Sequence, residues 1–155
     1  MRIFRTFILR TLVLAATVFF MACDDLTGGM ADLPPFIITK PVMETNERTN
    51  HYTYAGIAFK FMNRAEERID RITVSFMLFD TNTQGSAFTG NNRFDIAKSD
   101  MIFPGENKEL FISLDNYIYT APTEPYLFDF FYISEIHYTN GGGWEDRQGK
   151  YRVRF

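Results

Sequence analysis

Ile72-Thr73-Val74-Ser75-Phe76-Met77-Leu78-Phe79-Asp80 is the stretch that decides the fold. Successive side chains of a strand point to opposite faces. Ile72, Val74, Phe76 and Leu78 therefore share one side, and Thr73, Ser75, Met77 and Phe79 share the other. A period of two with one wholly apolar side predicts a strand lying against a core.

The same period recurs on both sides of this stretch. Ile57, Phe59 and Phe61 alternate with Ala58, Lys60 and Met62, and Leu110, Ile112 and Leu114 alternate with Phe111, Ser113 and Asp115. Tyr151, Val153 and Phe155 alternate with Lys150, Arg152 and Arg154, which predicts an edge strand with a basic outer face that discourages aggregation. Phe128 to Tyr138 is rich in strand-forming residues, but Phe130, Phe131, Tyr132 and Ile133 are consecutive. Such a run fits a strand covered on both sides or one whose phase is shifted by a bulge. Weaker strands are expected at Phe36 to Met43, limited by Pro41, and at Arg93 to Ala97. Asn63 to Ile69 is read as a helical turn or a charged strand connection.

The connectors agree with this reading. Pro104-Gly105 suits the central positions of a type II turn, and Asn140-Gly141-Gly142-Gly143 can supply the positive φ of a hairpin loop. About seven short strands with polar turns predict an all-β fold, an antiparallel β-sandwich.

Phe76-Met77-Leu78-Phe79-Asp80 also resembles the signature of the FxLYD-type extracytoplasmic domains, with Phe79 where the family has tyrosine. Asn63 and Pro104-Gly105-Glu106 match further elements of that pattern in order, so the resemblance spans about residues 54–115. It implies an immunoglobulin-like sandwich, often on secreted or lipid-anchored bacterial proteins, and implies no catalytic residues.

Before the strands lies a segment of different character. Arg2, Arg5 and Arg10 precede the apolar run Thr11 to Ala22, and then come Cys23-Asp24-Asp25, the layout of a cleavable secretory leader. The run of 12 residues falls short of the roughly 20 that a membrane-spanning helix needs. Phe20-Met21-Ala22-Cys23 resembles the lipobox of bacterial lipoproteins, which implies that Cys23 becomes the first mature residue and carries the lipid. The expected organisation is a signal peptide over 1–22, lipid attachment and a flexible tether over 23–35, and a sandwich over 36–155. Cys23 is the chain's single cysteine, so no bridge can form within the chain.

Removing Arg2, Arg5 and Arg10 leaves 13 Lys and Arg against 19 Asp and Glu, a net charge of −6 rather than −3. That balance argues against nucleic acid as a partner. His51 and His137 do not lie at metal-ligand spacing, and no G-x-S-x-G marks a nucleophile, so neither a metal site nor a catalytic residue is expected. Asp80, Asn82, Asn91, Asn92, Asp95 and Asp100 are oxygen donors without the ordered spacing of a calcium loop, and are read as turn-forming residues.

Most of the 22 aromatics that follow the leader are expected in the core. Trp144, placed in a Gly-rich loop from Asn140 to Gly149, and Tyr117 and Tyr119, before Pro122 and Pro125, fit that expectation least. They are the candidate partner-binding residues. Trp144 has a second reading, folding back to cap the sandwich.

The expected function is a non-enzymatic lipoprotein of the bacterial cell envelope, anchored to the inner or outer membrane and binding an envelope protein or glycan. It needs no cofactor beyond the covalent lipid on Cys23. The alternatives are a secreted or periplasmic accessory subunit or carboxylate-dependent enzyme, and a small-ligand carrier with an apolar cavity between its sheets.

Overall fold

The computed structural model describes residues 33–45, 50–88 and 92–155. The leader and Cys23 lie outside these residues. Eight strands follow in chain order: β1 (Phe36–Ile38), β2 (Val42–Thr45), β3 (Ala55–Asn63), β4 (Ile69–Phe79), β5 (Arg93–Ile102), β6 (Asn107–Ser113), β7 (Leu127–Tyr138) and β8 (Gly143–Glu145). No helix occurs among the described residues, and Asn63 to Ile69 is a strand connection.

The strands form two antiparallel sheets packed as a sandwich. In the first, β3 pairs with β6 on one side and with both β1 and β2 on the other. In the second, the order is β5-β4-β7-β8. β1 and β2 are one edge strand interrupted around Pro41, whose missing N–H suits an edge or a break. Counted so, there are seven strands, of which the fourth, β5, pairs with the third, β4, in the second sheet. Residues 35–155 form one compact unit.

The inward side read from β4 is obeyed at every position, while on the other side Ser75 is buried as well. Ile72, Val74, Phe76 and Leu78 are at most 1% exposed, and they face Ile57, Phe59, Phe61, Leu110 and Ile112 of the first sheet in one apolar cluster. The layers meet ring to ring where Phe59 lies 5.2 Å from Phe131, edge to face. Phe59, Phe61, Phe76 and Phe131, all buried, fill space between the sheets.

The turns are fixed by the residues expected to fix them. Gly105 takes φ +75°, and the N–H of Glu106 donates to the Phe103 carbonyl at 3.0 Å, closing the Pro104-Gly105 turn. Asn63, fully buried, holds this turn against the β3–β4 connection. Its side-chain amide donates to the Glu67 and Ile102 carbonyls and its Oδ1 accepts from the Ala65 N–H. Its backbone exchanges hydrogen bonds with Gly105 and Glu106.

The C-terminal segment corrects the sequence reading. Residues 151–155 are not a strand; Tyr151 and Val153 are half-buried while Lys150, Arg152 and Arg154 are exposed, as the alternation demands, but Phe155 is 51% exposed against it. The edge beside β7 is taken by β8, read from sequence as loop, which pairs Glu145 with Glu135 and Gly143 with His137. Beyond β8 the chain leaves the edge and returns, and the Val153 N–H donates to the Phe131 carbonyl at 2.8 Å. A bulge in β7 disturbs the ladder here, so the tail follows the edge without forming a strand.

Candidate functional site

The bulge has a sequence cause. β7 must bury Phe131 and Ile133 inwardly while also carrying Phe130 and Tyr132, so four consecutive large residues compete for two faces. The structure does both things the sequence allowed. Ser75 pairs with Tyr132 and Met77 with Asp129, which sets Phe130 and Phe131 together opposite Phe76. A second shift leaves Ser134 extra between Ile133 and Glu135.

Phe130 lies at φ +53° and 40% exposed, a left-handed conformation that is an outlier for a bulky side chain. Asp129 supports it by accepting the Phe130 N–H on Oδ1 at 2.8 Å. Strain of this kind costs on the order of 1–3 kcal/mol and persists only where the surroundings hold it.

The tail after β8 builds the facing wall. Asp146, buried, receives the N–H groups of Gln148 at 3.2 Å and Tyr151 at 3.0 Å, which curls residues 146–151 back over β7. Gly149, at φ +68°, lies against the Tyr132 ring, where a Cβ would come within 3.2 Å. Only glycine suits both demands. From this curl Arg147 and Gln148 project to the surface, and Arg152 sets its guanidinium 4.9 Å from the Phe130 ring centre.

Between these parts lies an open depression of about 460 Å³, lined by Phe76, Met77, Arg93, Phe130, Tyr132, Arg147 and Gln148. Arg93 donates to the Tyr132 hydroxyl at 3.3 Å and lies 4.0 Å from Asp95, which itself accepts from Ser75. The Nε–H of Arg147 donates to Glu145 at 2.7 Å, and this pairing raises the guanidinium's already high pKa. The lining thus combines thioether, aromatic faces and two guanidinium groups; the carboxylates paired with these, Asp95 and Glu145, stand outside the lining.

The residues singled out in the sequence fall elsewhere. Trp144 sits on β8, half-buried, with its ring 5.2 Å from Phe36 and 5.9 Å from Tyr151. Tyr117 packs edge to face on Phe94 at 4.9 Å, in a cluster with Phe88 and Tyr126, while Tyr119 is 82% exposed. They occupy opposite ends of the sandwich. Phe36 pairs with Asn63 at one end of β3, and the Tyr117 loop follows β6 where Ser113 pairs with Gly56 at the other.

Other polar candidates are engaged in holding the fold. His137 Nδ1 lies 2.8 Å from Asp70, and His51 stacks on Phe111 at 4.1 Å. Asp80 accepts from the Asn82 and Thr83 N–H groups and the Thr83 hydroxyl. Those Thr83 bonds hold its carboxyl below the usual value. Burial pushes Asp115 upward, but the N–H groups of Tyr54 and Thr53 outweigh it and the net shift is down. In both carboxylates these donors favour the ionised form.

Phe130, Arg93, Arg147, Met77 and Tyr132 were not singled out in the sequence. One signal for them was present, the failure of alternation from Phe130 to Ile133. Comparison with family models, curated proteins and solved structures finds no match to the chain.

Proposed function

We propose that the chain is an exported lipoprotein of the bacterial cell envelope, held to a membrane through acylated Cys23, whose sandwich is a non-catalytic binding domain. The leader and the acidic chain after it support the address. The meeting of Asn63 with the Gly105-Glu106 turn supports the FxLYD-type resemblance, because separate parts of that pattern converge on one hydrogen-bonded corner. A binding role rests on one observation: an otherwise well-packed sandwich keeps a strained, exposed Phe130 beside two arginines.

The mechanism is tethering. One acyl chain holds only marginally, at about 0.8 kcal/mol per buried CH₂, so several chains fix the domain and raise its concentration near partners. Growth with a labelled fatty acid tests the anchor. Label is expected on the wild-type chain and absent from Cys23→Ala; label persisting in the variant would sink the proposal.

A further inference from the structure

We infer that the depression around Phe130 receives an acidic peptide segment of a partner protein, an apolar side chain lying against Phe130 and Met77 and a carboxylate meeting Arg147 and Arg93. This rests on the binding-domain reading above and names the partner chemistry of that site.

Three observations carry it. Phe130 is held exposed at φ +53°, a conformation that a strand serving only the fold would avoid. Arg147, with its side chain 84% exposed, stands on a curl fixed by buried Asp146, and a guanidinium has five N–H donors of which the Glu145 contact uses one. Aromatic residues, methionine and arginine are also the types enriched at protein interfaces and their hot spots.

The form of the site selects among ligands. An open depression with exposed arginine walls cannot enclose most of a small molecule, so affinity must come from contacts that continue beyond it. A long polyanion would meet the field of a chain with net charge −6 after the leader. A short segment with one or a few carboxylates beside an apolar anchor needs only the local match.

The test uses the full-length chain in detergent, probed with an array of short immobilised peptides. Each combines Phe, Leu or Trp with Asp or Glu, and each has an Asn or Gln counterpart. Acidic peptides should bind about tenfold or more tightly than their amide counterparts, and added salt should weaken them. Phe130→Gly and Arg147→Gln should each weaken binding by about tenfold or more with Tm close to wild type.

Equal binding of acidic and amide peptides, or binding of neither, overturns the inference. So does preferential retention of polygalacturonate, which would assign the site to an anionic glycan. If peptides fail while wild type and Phe130→Gly retain the same envelope proteins, the binding domain stands and this site falls.

Discussion

β4 and β7 are neighbours in one sheet, both long, both aromatic, and they obey opposite rules. β4 keeps its alternation from Ile72 to Leu78 and buries each inward residue. Of the three register shifts between them, one falls at Asp70 near the start of β4 and two are extra residues of β7, which buries Phe131, Tyr132 and Ile133 in succession and turns Phe130 out in a left-handed conformation. Where local preference and global fold agree, a segment serves the fold; where they conflict and the conflict is held in place, function is the first place to look. The two strands thus divide the labour of one sheet.

The largest effect should come from the obedient strand. Phe76 is 1% exposed and touches the rings of Phe94, Phe128 and Phe131. Phe76→Ala removes those contacts and leaves a cavity, costing about 3–5 kcal/mol. Thermal unfolding should show a fall in Tm on the order of 10 °C or more. A near-wild-type Tm would mean that the core collapses around the gap, and the contrast between the strands would lose its basis.

How legible the molecule was in its sequence follows the same division. β3, β4 and β6 could be read because each sets large apolar residues at every second position against the core, so hydrophobicity and geometry share a period of two, although Gly56, Ala58 and Ser75 between them are buried too. The Pro104-Gly105 turn could be read because few residues tolerate its φ. β8 could not, since Gly143-Trp144-Glu145 has no period and becomes a strand only through the free edge of β7. The tail misled for the converse reason: its alternation was real, but the ladder it needed is interrupted by a bulge in another strand. The candidate site joins β4, β5, β7 and the tail, so it exists only through tertiary placement. The sequence showed only its symptom, the crowding at Phe130 to Ile133.

Trp144 gives an intermediate effect and tests the orderly end of β7. Its ring closes the sandwich against Phe36 and Tyr151, yet it is only half-buried. Trp144→Ala should therefore cost about 2 kcal/mol, less than a core aromatic. Thermal unfolding measures this directly. Unchanged melting with lost partner binding would return Trp144 to the recognition role that its sequence setting first suggested, and would place a binding contact on the regular part of β7's border.

The smallest effect carries the sharpest sign. In an ordinary strand glycine is worse than alanine by roughly 0.5–1 kcal/mol, because it loses more backbone freedom on folding. At Phe130 the order should reverse. Phe130→Ala and Phe130→Gly lose the same ring and the same contact with Arg152, but alanine keeps the left-handed strain that glycine relieves, about 1–2 kcal/mol for an L-residue. The strain relief exceeds the entropic penalty, so Phe130→Gly should be the more stable of the two by up to about 1.5 kcal/mol. Urea unfolding of the pair, with equal m-values, measures the difference without reference to wild type. Alanine proving more stable would mean that β7 relaxes into a regular strand once the ring is gone. Phe130 itself, and not the crowding of β7, would then be the cause of the bulge.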